Sequence, residues 1–305
     1  MLPATIQVLE RGWLSSNNIV FADDDVTTVV DTGYVTHGDE TLRLIDGALK
    51  GRPLHRILNT HLHSDHAGGN ALLQDRYGCE TWIPPGDAAL VDAWDEDRLS
   101  YQRTSQQCPR FAYEQLLKPH TQVQLGGEDW DVLPAAGHDH AMVMLWCARL
   151  GVLISADALW QKGFGVIFPE LEGIPGFAEQ QATLALIGQL QPRVVIPGHG
   201  APFSEADGAV SAALQAARSR IQWLSEDPRR NADNALKVLL AFKLLEARRL
   251  TVAELTALVQ SSFDANGAMR ALYPVPADAI AAFMAEELVR VRAATREGDY
   301  LVAST

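Results

Sequence analysis

The run Asn-Thr-His-Leu-His-Ser-Asp-His-Ala-Gly-Gly-Asn at residues 59–70 restricts the fold more than any other part of this chain. It places His61, His63, Asp65 and His66 within six positions, directly after HRILNT, which reads as a buried strand. In an extended segment residues i and i+2 point to the same side, so His61, His63 and Asp65 share a side. His66 comes round as the chain turns. Gly68 and Gly69 allow a sharp turn and a close approach of the next helix, which Asn70 is placed to cap. Imidazole with carboxylate is a ligand set suited to zinc, and also to iron or manganese.

A metal ion needs about four ligands, and two ions need more. The rest of the sequence offers candidates at similar positions. His138 follows VLPAAG, Asp157 follows VLISA and His199 follows VVIPG. In each case an apolar run ends and a metal-capable side chain appears at its exit. A site assembled from several strand ends is rigid, as a catalytic site must be.

The segments between these exits alternate strand-like and helix-like patterns. TIQVLE, NIVFA and VTTVVD are β-rich and closely spaced, which predicts an antiparallel meander. Residues 38–51 place Leu42, Ile45, Ala48 and Leu49 on one helix face and stop at Gly51. TWI is a short strand ending at Pro84-Pro85, and residues 87–118 are expected to be helical with irregular joints. That region carries Trp94, Tyr101, Phe111 and Tyr113, as packing or as the wall of a pocket. Hairpins are expected around Gly126-Gly127 and near Arg149–Gly151, then a helix at 177–190 and the strand RVVIPG. The fold class is α+β: two groups of antiparallel strands with helices between them and outside a sheet-on-sheet core, over residues 1–205. Residues 206–305 read as a smaller, mainly helical domain. Its segments include TVAELTALVQ, which opens with the capping pair Thr251 and Glu254. A hairpin turning at Gly298 ends it, which resembles a winged-helix arrangement.

Charge is distributed unevenly. Residues 1–205 carry 13 Lys and Arg against 26 Asp and Glu, whereas residues 206–305 carry 12 of each. An acidic main body repels phosphate backbones, so nucleic acid is a poor partner and a small-molecule substrate a better one. Two divalent cations would offset four of those charges. The N-terminal residues lack a basic segment followed by an apolar run, and no apolar run approaches the roughly 18 residues of a membrane helix. Cys79, Cys108 and Cys147 are widely spaced and form no CxxC pair. These features lead to the expectation of free thiols in the cytoplasm.

The residues quoted above resemble the metallo-β-lactamase superfamily. His61, His63, Asp65 and His66 match its HxHxDH signature. Gly137-His138, SAD at 155–157 and PGHG at 197–200 match its later ligand motifs in order, and VVDTG at 29–33 is similar to its early strand and turn. The resemblance covers roughly residues 5–205 and implies a four-layer αββα sandwich. It implies that His61, His63 and His138 hold one divalent metal, that Asp65, His66 and His199 hold a second, and that Asp157 bridges them. Zinc is the first expectation for both ions, with iron or manganese as alternatives. A hydroxide between the metals would be the nucleophile, with Asp65 as the catalytic residue that orients it or moves a proton.

The chain departs from the family after Gly137-His138, where many members carry Ser or Thr and this one has Asp139-His140-Ala141. His140 shares a side with His138 if the backbone is extended and competes as a ligand. The position directly after glycine favours His138. Asp139, His140 and Asp31 are candidates for holding a ligand imidazole. Trp160, Lys162 and Phe164 are candidates for lining the cleft, and His37, His55 and His120 lie away from the motifs.

The reaction expected is hydrolysis of a carbonyl-centred bond in a thioester, ester, lactone or amide, because THLHSDHAGGN resembles the glyoxalase II and thioesterase-type branch. The basic residues that hold glutathione in glyoxalase II cannot be identified here. Alternatives are a winged-helix-assisted endoribonuclease or phosphodiesterase and a single-iron sulfur dioxygenase. The C-terminal arginines at 218, 220, 229, 230, 248 and 249 fit the nuclease, but an equal number of acids balances the basic residues there. The C-terminal domain is also open to a homodimer role.

Overall fold

The computed structural model describes residues 2–22 and 25–304. The first sheet is laid down in chain order by β1 (Gln7–Leu9), β2 (Asn18–Phe21), β3 (Thr28–Val30), β4 (Arg56–Leu58), β5 (Glu80–Ile83) and β6 (Gln115–Leu116). The pairs β1/β2 and β2/β3 are antiparallel, but the pairs from β3 to β6 are parallel, which corrects the expectation of an antiparallel group: long connections, not hairpins, join these strands. Its connections contain α1 (Gly38–Leu49), α2 (Ser64–Ala67), α3 (Asn70–Tyr77) and α4 (Ala88–Ala93).

The second sheet contains β7 (Gln122–Leu125), β8 (Glu128–Pro134), β9 (Val143–Cys147), β10 (Val152–Ala156), β11 (Val194–Pro197) and β12 (Phe203–Ser204). Neighbouring strands are antiparallel except β10/β11. The helices α5 (Phe168–Leu171) and α6 (Phe177–Leu190) lie between β10 and β11 in sequence.

Strand periodicity produces the layers. Side chains alternate between the faces of a sheet. Ile19, Phe21, Val30 and Leu58 of the first sheet pack against Val132, Val143, Leu145, Ile154 and Ile196 of the second. The intervening residues point outward. Val20, Val29 and Ile57 meet Ile45 and Leu49 of α1 and Leu73 of α3. On the other side Met144, Trp146, Leu153 and Val195 meet Leu184 and Ile187 of α6. The four-layer αββα sandwich expected from sequence is what these two outer layers and the inter-sheet core form.

The C-terminal segment contains α7 (Ala209–Ser225), α8 (Pro228–Ala247), β13 (Arg249–Thr251), α9 (Val252–Ala265), α10 (Gly267–Ala271), α11 (Ala277–Arg290), β14 (Ala294–Glu297) and β15 (Tyr300–Ala303). The last two strands are the expected hairpin, and β13 pairs with β15 to complete a three-stranded sheet. The capping box at Thr251 and Glu254 is formed. The helix α7 touches α8 through Arg220–Asn234 and Trp223–Arg230, but its buried apolar face joins another core. Its Ala213, Leu214, Ala217 and Ile221 join α6 over the second sheet, so the layer at the sandwich's outer face extends past residue 205. A second apolar core takes in Ala232, Ala235 and Leu236 of α8 and is joined by Val166 and by Leu171 of α5.

Two local expectations require correction. Among residues 87–118 only Ala88–Ala93 is α-helical; most of the rest is turns before β6. Asn70 is the first residue of α3 and does not cap it. Its amide exchanges bonds with Asn59 and accepts from Thr32 Oγ1, tying three loop segments together. No helix among the described residues is long and apolar enough to cross a membrane.

Candidate metal centre

The strand exits converge at one edge of the sandwich. Asp31 leaves β3 and His61 leaves β4, while His138, Asp157 and His199 follow β8, β10 and β11. The strands β3 and β4 run parallel, as do β10 and β11, and β8 is antiparallel to β9, which is antiparallel to β10. Each sheet therefore sends its exits to one end. His63 sits at the N-terminus of α2, and Asp65 and His66 lie on that single turn.

The seven candidate ligands fall into three overlapping groups: His61–His63–His138, Asp65–His66–His199, and His61–His66–Asp157. Within each group the ligand atoms lie within 4.8 Å of one another. His63 Nδ1 is 2.8 Å from His138 Nε2 and 3.1 Å from His61 Nε2. His199 Nε2 is 3.1 Å from Asp65 Oδ2, and His66 Nε2 is 3.4 Å from Asp157 Oδ1. His138 Nε2 is 3.5 Å from Asp157 Oδ2. His61, His66, His138, Asp157 and His199 are buried, and His63 and Asp65 are half-buried.

The donor set fits divalent cations. His66 Nε2 is buried without a hydrogen-bond partner and faces carboxylates. On the opposite side of this ring, Nδ1 donates to Asp31 Oδ2 at 2.8 Å. His138 Nδ1 likewise donates to the Val166 carbonyl at 2.6 Å. Each bond fixes the ring and leaves the Nε2 lone pair directed inward, as metal-binding imidazoles require.

The electrostatics agree. Burial, with His66, His63 and His138 nearby, holds His61 well below the ordinary imidazole range. Burial, with His138 beside it, pushes His63 down to about 4. Both rings are neutral donors near pH 7. Burial would lower His66 too, but Asp157, Asp31 and Asp65 raise it well above the usual value. The carboxylate field that attracts a proton there attracts a metal cation by the same Coulomb term. Burial would raise Asp157 and Asp65, but His66 and His199 bring both below the usual carboxylate range.

Backbone geometry makes room for these groups. A Cβ on Gly69 would stand 2.4 Å from the Thr32 carbonyl oxygen, and one on Gly198 would stand 2.1 Å from Asp157 Oδ1. Gly69 is in the right-handed region (φ −89°), so close approach and not the turn requires glycine there. Asp31 also accepts from Thr60 N at 2.9 Å and Thr60 Oγ1 at 2.8 Å, which couples β3 to the ligand segment.

Other candidates separate. Asp139 Oδ2 lies 3.8 Å from His63 Nε2, whereas His140 is largely exposed and faces Asp87 Oδ1 at 3.6 Å. Of the cleft candidates, Trp160 reaches the cluster: its Nε1 donates to Asp157 Oδ1 at 3.2 Å and its ring meets His199. Phe164 is buried in the core beyond the second sheet and Lys162 is exposed. Tyr101 and Phe111 pack under the ligand segment with Leu62 and Ala67, and Trp94 and Tyr113 pack against them. The Tyr101 hydroxyl donates to the Leu62 carbonyl. These aromatics support the ligand loop. His37, His55 and His120 lie outside the three groups.

Sequence reasoning missed Trp13 and Phe168. Trp13 stacks on His199 at 5.5 Å between centroids, and Phe168 meets His63 at 5.3 Å and His138 at 5.6 Å. Neither occupies a periodic or motif position that would have marked it.

An αββα sandwich with clustered imidazoles and carboxylates at its strand exits defines a metal-binding architecture. A family model described as "Metallo-beta-lactamase superfamily" matches residues 11–199, and the chain belongs to that superfamily. Among curated proteins it is 27% identical over 169 residues to hydroxyacylglutathione hydrolase of Rhodobacter capsulatus, covering 55% of this chain and 56% of that one. It is 23% identical over 258 residues to the probable metallo-hydrolase YqjP of Bacillus subtilis, covering 73% and 77%. The chain spans about half the length, or less, of the hydroxyacylglutathione hydrolases it matches. Among solved structures, the metallo-beta-lactamase family protein TTHA1429 from Thermus thermophilus shares the fold at a TM-score of 0.58 and 17% identity, covering all of both chains.

Proposed function

We propose that this protein is a hydrolase that cleaves a carbonyl-centred bond, in a thioester, ester, lactone or amide, at a site holding two divalent cations, with zinc the first candidate. The observation that carries this reading is the overlap of the three ligand groups. His61–His63–His138 and Asp65–His66–His199 describe two cation positions, and the group His61–His66–Asp157 joins them. Cations held there would lower the pKa of water towards about 7 and polarise a substrate carbonyl.

The protein's own groups perform the remaining work. Asp157 lies between the two histidine sets and is held by Trp160 Nε1. Asp65, half-buried and 3.1 Å from His199, is the group placed to take a proton from attacking water or to deliver one to the leaving group. Asp31 and the Val166 carbonyl keep two rings from rotating. The relatives named as hydroxyacylglutathione hydrolases and as a metallo-hydrolase support hydrolysis, and the former favour thioesters.

The C-terminal arginines support the nuclease reading less. Arg229, Arg230 and Arg249 lie over the rings of Tyr273, Trp223 and Tyr300 in this fold. The test is a panel of ester, thioester, lactone, amide and phosphodiester substrates with the metal-loaded protein and its His63→Ala variant. Turnover of a carbonyl substrate that disappears in the variant is expected. Cleavage of phosphodiesters alone, or oxygen uptake with one iron per chain, would replace this reading.

A further inference from the structure

We infer that Trp13, backed by Trp160, forms an aromatic shelf beside the metal centre and selects substrates carrying an apolar acyl group. The inference rests on the hydrolytic reading above and adds the substrate class. Trp13 is 63% exposed, although large aromatic side chains are ordinarily well buried. Its ring is nearly parallel to the His199 imidazole, at an interplanar angle of 14°. Trp160 stands edge-on to both, 5.3 Å from Trp13 and 5.3 Å from His199. One indole is therefore fixed against the ligand cluster and the other presents apolar surface to solvent beside it.

The loop that carries Trp13 is fastened to the site. Ser16 N donates to the Asp65 carbonyl at 2.9 Å and Asn17 N to the Gly198 carbonyl at 2.7 Å. The Asn17 amide also bonds the Pro197 and Gly200 carbonyls. The loop thus touches the backbone of two ligand segments, and Trp13 is a preorganised surface. At the other ligand group Phe168, which also packs on the C-terminal apolar core, flanks His63 and His138. His63, Asp65 and Asp139 remain partly open to solvent beside these rings. Such a surface favours an alkyl chain or an aryl ring, since apolar burial on indole is favourable.

The test uses the metal-loaded protein with acetyl and octanoyl thioesters of one thiol, and calorimetric titration with acetate and octanoate. Wild type, Trp13→Ala and Trp13→Phe are compared, with metal content measured for each. The wild type is expected to prefer the octanoyl substrate through KM and to bind octanoate more tightly than acetate. Trp13→Ala is expected to lose roughly tenfold of that preference, with KM changing more than kcat, and Trp13→Phe to restore most of it. An octanoyl-to-acetyl ratio in Trp13→Ala equal to that of a metal-loaded wild type would overturn the proposal, as would a wild type with no chain-length preference. If the wild type hydrolyses no carbonyl substrate but binds octanoate in a Trp13-dependent way, the shelf stands and the hydrolytic reading falls.

Discussion

At the strand exits His61, His66, Asp31 and Asp157 are buried together; in the C-terminal unit Leu236, Leu255, Val259, Met284 and Leu288 are. The second group is an apolar core of helices α8, α9 and α11 closed by a small sheet, and burial alone stabilises it. The first carries ionisable groups away from water, where each must be paired, neutral or bound to a cation. Backbone strain occurs in both regions: Asp31 at φ 57° leaves β3 and Ala156 at φ 47° ends β10, while Arg248 at φ 68° and Arg292 at φ 62° lie in the C-terminal unit. Such conformations cost on the order of 1–3 kcal/mol each and persist where the surroundings enforce them. One fold thus places an apolar core next to an edge where stability is traded for chemistry.

The sharpest way to break this contrast is to remove a ligand. His63→Ala should lower kcat/KM by about 10³-fold or more while leaving the C-terminal unit folded, as followed by activity assay and circular dichroism. Leu255→Ala should act in reverse: a loss of about 2–5 kcal/mol in denaturant unfolding, with metal content intact in the folded fraction. Asp31→Asn removes the carboxylate that orients His66, and competition with a chelator should show metal affinity reduced by about 10–100-fold.

The smallest effect concerns Asp87, buried near the site's rim. Burial and the neighbouring Asp139 push its carboxyl up to about 7, from 3.8. Below pH 3.8 the folded and unfolded states both hold this proton, and Asp87→Asn should be neutral. As pH rises from 3.8 through 7 the unfolded chain ionises first, and the native state loses stability relative to it. Asp87→Asn should therefore raise stability by on the order of 1–2 kcal/mol at about pH 8 and leave it unchanged at about pH 3.5, as thermal unfolding at the two values would show.

The same contrast explains what could be read from sequence. Strands such as Ile19, Val20 and Phe21 were legible as short apolar runs because both of their faces are buried, one between the sheets and one under helices, whereas the four layers were expected only from the family resemblance. The seven ligand-type residues stood out because four cluster at 61–66 after one strand, His138, Asp157 and His199 each follow an apolar run, and all match motifs of the family. Trp13 carried no such mark, since its role depends on a loop held by backbone bonds to segments far along the chain. Residues 94–113 are fastened by tertiary contacts such as Tyr101 to Leu62 and Gln107 N to Tyr34, which local patterns do not reveal. Asn70 had the residue type of a cap but was drawn into a buried amide network with Asn59 and Thr32. The helix α7 looked like its C-terminal neighbours because an amphipathic face does not name the surface it covers.

The central claim is that side chains from position 61 to position 199 together hold a pair of divalent cations. Elemental analysis of the purified protein beside its Asp157→Ala variant tests it directly. Two equivalents of a transition metal in the wild type, with at least one lost in the variant, is the result this account predicts. A folded wild type that retains no metal when equilibrated with excess zinc, iron or manganese would contradict it.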